Sequence, residues 1–378
     1  MPFPVDVKYV PTLTLRPAEM RGLRELPQTS KNMIAPHILL RPWTTAQYLQ
    51  SALNVIVDLK CSNIIIDFDE NFSLAKSTGE RPILGELREL FNEANGYEAW
   101  IKFTLENGFI PCVLAGSDSD QVQRQIEAFS AAKVFTFLRF SPQGGSGRQA
   151  RQIAAIKAAA QIFDGDQLGV IIDFGQQAIG WDQESMLAFS ATKLVLSLGP
   201  ISLIVISATT FPDSFEGRRH QTIFERTLFS KLAIPGNDTR LVYGDRGSAR
   251  AKRQASGGGA PLPRIDLPVE NAWYFFRERP AVAVDPVTGN EVDVGISERK
   301  VARATAYRQA SRRAMKSEHW GTAPKVWGTQ MIQDTAAGQG AIGSPAYATA
   351  ARINIHLFTQ AHYGLPGGNT GDEPWQEF

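Results

Sequence analysis

Short apolar runs rich in Val, Ile and Phe recur through the first 249 residues, and each is followed by a segment with helical spacing. The runs predict eight strands: Lys8–Leu13, Met33–Arg41, Asn63–Asp69, Phe109–Gly116, Val134–Phe140, Leu168–Phe174, Leu203–Thr209 and Arg240–Asp245. Several are almost continuously apolar (IIID, VIID, LIVIS), as expected when both faces of a parallel sheet are buried. The segments between them predict helices over Arg16–Leu26, Thr44–Leu59, Glu98–Asn107, Gln121–Ala132, Arg148–Phe163, Asp182–Leu198 and His220–Leu232. Pro17 suits a first helical turn, Thr44 and Thr45 suit a cap, and Gly108 suits a helix stop. Ser117-Asp-Ser-Asp120 has the form of a capping box. One insertion, Ser73–Ala94, interrupts the even spacing after the third strand.

Eight strand–helix units ending near residue 249 predict an α/β fold, a (β/α)8 TIM-type barrel. An open doubly wound sheet is the alternative, because strand order is not written in one sequence. After the eighth strand the pattern changes. Gly247–Pro263 reads as a loop, and Asn271–Arg277 as a strand. Ala281–Val294 reads as a hairpin around Thr288-Gly-Asn290, and Glu298–Lys316 and Pro345–Tyr363 as helices. Residues 1–249 are therefore read as the barrel core. Residues 250–378 are read as an elaborated C-terminal α+β extension that packs on the barrel and is not independent.

Composition changes this picture little, but charge sharpens it. The chain has 378 residues, 43% of them hydrophobic, with 39 basic against 38 acidic side chains. A net charge of +1 excludes an overall field that would name a partner. No apolar run is long enough for a bilayer, no signal peptide is visible, and two cysteines make no disulfide framework. These features predict a cytoplasmic protein with no membrane partner. The near-neutral total conceals Glu298–Lys316, where seven basic groups face one acid, a net of +6.

Several residues together carry a family resemblance. They are Tyr9-Val-Pro11 with Glu19, Pro36, Arg139 ending strand 5, Asp173 ending strand 6, Tyr243-Gly-Asp245 after strand 8, and the aromatic strand ending in Arg277. In these the chain resembles the phage beta protein family of phages, satellite phages and prophage-like islands. Arg16 stands where the common pattern has Lys, which alters the geometry of any phosphate or carboxylate contact. The resemblance implies a phage or prophage setting in an antiviral defence or toxin-neutralising locus. It supplies no reaction.

In a barrel of this kind, strand C-termini converge on one mouth. Those positions hold His37, Arg41, Asp67, Asp69, Arg139, Asp173, Ser207, Thr209, Tyr243 and Asp245, with Tyr9 on the first strand and Arg277 as a further contributor. The first reading is recognition of a protein partner or an anionic small molecule by Arg139, Asp173, Asp245 and Arg277, supported by Asp67, Tyr243, Ser207 and Tyr9. The second is a metal-dependent phosphodiester hydrolase, with Asp67, Asp173 and Asp245 holding Mg2+ or Ca2+. In the third, these groups only pair with one another. Asp69 is read as lying past the end of its strand, in solvent. Cys61 and Cys112 are read as buried and inert, with no His neighbour evident. Arg299, Arg303 and Arg313 on one side and Arg308, Arg312 and Lys316 on the other are read as two basic edges, flanking an apolar face of Val301, Ala304 and Met315, that can follow a nucleic-acid backbone, with Arg303, Arg308, Arg312 and Lys316 as its contacts. The bland counterpart is a solvated helix whose charges meet acids elsewhere.

Overall fold

The computed structural model describes residues 2–43, 46–69, 81–183, 185–232, 239–251, 261–281, 283–284, 291–292 and 295–365. Its strands are β1 (Tyr9–Thr14), β2 (His37–Leu40), β3 (Ile65–Phe68), β4 (Ile110–Val113), β5 (Thr136–Phe140), β6 (Leu168–Gln176), β7 (Leu203–Thr209), β8 (His220–Thr222), β9 (Arg240–Asp245), β10 (Arg264–Val269), β11 (Ala272–Arg277), β12 (Ala283–Val284) and β13 (Glu291–Val292). The helices are α1 (Pro17–Arg24), α2 (Gln28–Asn32), α3 (Leu49–Val57), α4 (Pro82–Leu90), α5 (Glu98–Glu106), α6 (Ser119–Ala131), α7 (Ser146–Ile162), α8 (Ser185–Leu196), α9 (Phe224–Lys231), α10 (Ile296–Met315), α11 (Trp327–Ala337) and α12 (Pro345–Ala361).

All eight predicted strands form, and they close a barrel in the order β1-β2-β3-β4-β5-β6-β7-β9. Every neighbouring pair is parallel, and β1 pairs with both β2 and β9, so no edge remains open. The chain is a (β/α)8 barrel with a C-terminal region of strands and helices. Two compact units are present. The first comprises residues 1–16, 28–211 and 223–252, and the second residues 17–27, 212–222 and 253–378.

In the first unit, Val10, Ile65, Cys112, Phe137, Ile171, Val205 and Val242 belong to one buried cluster, joined by Phe3, Val7 and Ala35. A single cluster drawn from β1, β3, β4, β5, β6, β7 and β9 is the interior of the closed barrel. Side chains alternate along a strand, so the inward positions are fixed from here on. Two residues beyond this apolar ring, the same strands place Thr12, Asp67, Arg139, Asp173, Ser207 and Gly244 inward, and Ala35 is followed by His37. The interior thus changes from apolar to polar in one step along the strands.

In the second unit β10, β11 and β8 form an antiparallel sheet. His220–Thr222, expected to be helical, is strand β8, with Gln221 opposite Trp273. The pairing partner β11 lies some fifty residues downstream, so local spacing gave no sign of it. Helices α1 and α12 meet closely at Gly22, where a Cβ would stand 2.9 Å from Ala350 O. Helix α10 buries Ala306, Tyr307, Ala310, Ser311 and Ala314. The expected apolar face is not the buried one: Val301 is 65% exposed, since the small residues of the next turns allow closer packing.

Local signals held in part. Pro17 opens α1, and Gly108, with φ +65°, follows α5. Asp118, not Ser117, caps α6, accepting from Asp120 N and Gln121 N. Helix α3 begins at Leu49; Thr44 and Thr45 lie outside the described residues, as do Gly257–Gly259, the Thr288–Asn290 turn and residues 73–80 of the Ser73–Ala94 insertion.

Candidate active site in the barrel interior

The polar ring is a connected network. Asp67 sits at its centre on one side: Arg139 Nε lies 2.9 Å from Asp67 Oδ2, and His37 Nε2 lies 3.2 Å from the same oxygen. The main-chain N of Phe68 donates to Asp67 Oδ1 at 2.7 Å. On the other side Asp173 accepts from Arg246 Nη2 and, at 2.9 Å, from Gly175 N. Arg139 Nη1 stands 3.9 Å from Asp173, so this guanidinium spans the two carboxylates, and its Nη2 donates to Phe68 O. His37 Nδ1 meets Thr12 Oγ1 at 3.1 Å, and Thr12 Oγ1 is 3.5 Å from Ser207 Oγ.

Burial and pairing set the charge states. Burial works against both carboxylates, but the adjacent guanidiniums outweigh it and hold Asp67 and Asp173 below the usual carboxylate range. Burial pulls the pKa of His37 down, which keeps its imidazole neutral at neutral pH. Burial pushes the Cys112 thiol well up.

The structure divides the expected site. Asp67, Arg139, Asp173 and Ser207 come together inside the barrel. Tyr9, Tyr243 and Asp245 do not join them, because they have the opposite parity on β1 and β9 and face outward, toward α9. Tyr9 and Tyr243 are register partners across the closing seam, with rings stacked at 5.6 Å. Both hydroxyls donate to Asp245, that of Tyr243 at 2.9 Å. Arg226 of α9 lies 3.5 Å over the Tyr243 ring, and Phe229 packs edge-on against it. These three residues lock the seam. A cation held jointly by Asp67, Asp173 and Asp245 has no common point to occupy, and Arg139 already fills the space between the first two. Arg277 belongs to the second unit, where it donates to Phe215 O.

Other expectations also shift. Asp69 is not in solvent: it is 2% exposed and pairs with Arg41 at 3.5 Å. Cys112 does have a His neighbour, with His37 Nε2 3.9 Å from its Sγ. In the basic helix, Arg308 and Arg312 donate to the carbonyls of Ala336 and Ala337 at the end of α11, the negative pole of that helix. Arg303 donates to Pro261 O, whereas Lys316 is exposed at the C-cap of α10. Sequence reasoning missed Arg246 and Thr12. Both were signalled by parity: Arg246 has the parity of Val242, and Thr12 that of Val10.

Fold and site define a (β/α)8-barrel protein whose interior ends in an arginine–aspartate–histidine network. Among known families, that of the Beta protein matches residues 9–362, and the chain belongs to this family. It is 25% identical over 373 residues to Protein beta of Enterobacteria phage P4, covering 94% of this chain and 93% of that relative. No solved structure matches it. No helix among the described residues is long and apolar enough to cross a membrane.

Proposed function

We propose that the barrel mouth binds a small anionic compound carrying a phosphate or carboxylate, and that the protein works in the cytoplasm within a phage or mobile-element defence locus. The phage origin of the relative supports that setting. The observation that carries the ligand reading is a local excess of arginine. Among the described residues, Arg16, Arg41, Arg139 and Arg246 stand at or just past the ends of β1, β2, β5 and β9, with Arg148 in the first turn of α7. Asp67, Asp69 and Asp173 answer them, and His37 adds no charge. In this set five arginines face three carboxylates, and planar guanidiniums suit bidentate capture of an oxyanion.

Arg139 and Arg246 are held rigid by the carboxylates beneath them, which lowers the entropy cost of binding. Arg148 is partly buried, with Nη2 3.3 Å from Ser141 Oγ, and is suited to closing on a ligand from the side.

Isothermal titration with inorganic phosphate, nucleoside mono- and triphosphates and dicarboxylates tests this. At least one compound binds the wild-type chain and weakens with salt. Arg148→Ala weakens it at least about tenfold, the equivalent of about 1.4 kcal/mol. The reading is overturned if the folded wild-type protein binds none of them, or if Arg148→Ala binds equally well.

A further inference from the structure

Three inward donors on neighbouring strands have a use that anion binding leaves unexplained: His37 of β2, Asp67 of β3 and Cys112 of β4. Their ligand atoms all lie within 4.8 Å of one another. His37 Nε2 stands 3.2 Å from Asp67 Oδ2 and 3.9 Å from Cys112 Sγ. A tetrahedral zinc ion, with bonds of about 2.0–2.1 Å to nitrogen and oxygen and about 2.3 Å to sulfur, separates N from O by about 3.3 Å and N from S by about 3.6 Å. The two distances differ from these by only about 0.1–0.3 Å.

The supporting contacts point the same way. His37 is oriented through its other nitrogen, Nδ1, by Thr12 Oγ1 at 3.1 Å, which leaves Nε2 aimed at the two remaining donors. Metal-ligating histidines are ordinarily held in this manner. Asp67 is fixed by Phe68 N on Oδ1, and Arg139 supports the Oδ2 that faces His37. The three residues are almost wholly buried: His37 and Cys112 are 0% exposed and Asp67 3%.

We propose that His37, Asp67 and Cys112 form a three-ligand transition-metal site, with Zn2+ as the ion of matching chemistry. A mixed nitrogen, sulfur and oxygen set disfavours Mg2+ and Ca2+, which take oxygen ligands. Cysteine binds as the thiolate: the S–H bond breaks, the S–Zn bond forms, and the proton leaves to solvent. Three protein ligands leave a fourth position for water or for a ligand of the mouth, the pattern of an open rather than a closed zinc site. This inference stands apart from anion binding, because the metal alone tests it.

The full chain, stripped with a chelator, is titrated with Zn2+ against a chromophoric competitor, and with Co2+ while absorbance is read. One equivalent binds, protons are released, and Co2+ gives a thiolate-to-metal charge-transfer band. Cys112→Ser abolishes the band and weakens Zn2+ at least about a hundredfold, beyond the loss typical of an outer contact. Cys61→Ser, which removes the other of the two cysteines, changes neither. Thr12→Val keeps the band and weakens binding about tenfold. If Cys112→Ser does not fold, His37→Asn serves in its place, keeping the band but losing affinity at least about a hundredfold. Absence of saturable binding overturns the proposal, as does a band that survives Cys112→Ser or disappears in Cys61→Ser. Each of these three results leaves a hydrogen-bonded trio with no metal.

Discussion

Asp173→Asn is the sharpest perturbation of the barrel interior. The change keeps the shape of the side chain and removes its charge. Asp173 is 6% exposed, and Arg246, also 6% exposed, donates directly to it. Removing one partner of a buried ion pair costs about 3–5 kcal/mol, because the other charge stays buried without compensation. Arg139 softens the loss, since it keeps Asp67 at 2.9 Å. The expected cost is therefore about 3 kcal/mol, at the lower end of that range. For a unit of this size this lowers Tm by about 6–12 °C. Equilibrium unfolding in urea at pH 7 measures it directly. The pH dependence supplies a second check. The folded-state pKa of Asp173 lies below its unfolded value of about 3.9. Its contribution is thus present above that value and lost as pH falls through the folded pKa. The gap between wild type and variant must therefore shrink in acid. A double variant, Asp173→Asn with Arg246→Met, removes the stranded cation and must be more stable than Asp173→Asn alone. A gap below about 1 kcal/mol at pH 7, the size of an exposed pair, refutes the reasoning, as does a gap that persists unchanged into acid.

Two further changes test the frame around the site. Glu225 of α9 is fully buried beside Thr210, and burial raises its pKa to about 8. The protonated carboxyl is the favoured form in the fold, so the contribution of Glu225 to stability is largest below about pH 4.3 and falls as pH rises toward 8. Glu225→Gln should abolish this fall in urea titrations between about pH 5 and 8; an unchanged slope would assign it to other groups. At Gly244 an added Cβ would lie 2.8 Å from Val205 Cγ1 and 2.9 Å from Val10 O, across the closing seam. Gly244→Ala should cost about 1–3 kcal/mol by overpacking, and a Tm equal to wild type would show that the seam yields freely.

The strands were legible because their signal is local. A buried parallel strand needs an apolar run, and a helix needs apolar positions three and four apart, so each element advertises itself within a dozen residues. Strand β8 escaped for the opposite reason: His220–Thr222 is extended only because β11 pairs with it. Asp67, Arg139, Asp173 and Ser207 were found by a second local rule, polar residues at the ends of barrel strands. Including Asp245 with them failed on parity, since one residue separates the inward Gly244 from the outward Asp245. The relevant clue, Val242 among the apolar ring, became readable only once one strand face was known to be the inside.

The sequence by itself determined the eight strand–helix units of the first 249 residues and pointed to the family, because these follow from periodicities and residues fixed along one chain, whereas the order of the strands and the closure of the barrel came from their pairing. Tertiary structure alone decided which charges meet. Arg246 reaches Asp173 from 73 residues away, and Cys112 reaches His37 from 75. Those contacts depend on barrel closure and on the register of each strand against its neighbour. Closure selects the face that turns inward, and register sets the height at which each side chain stands. Neither quantity is a property of any single stretch of residues.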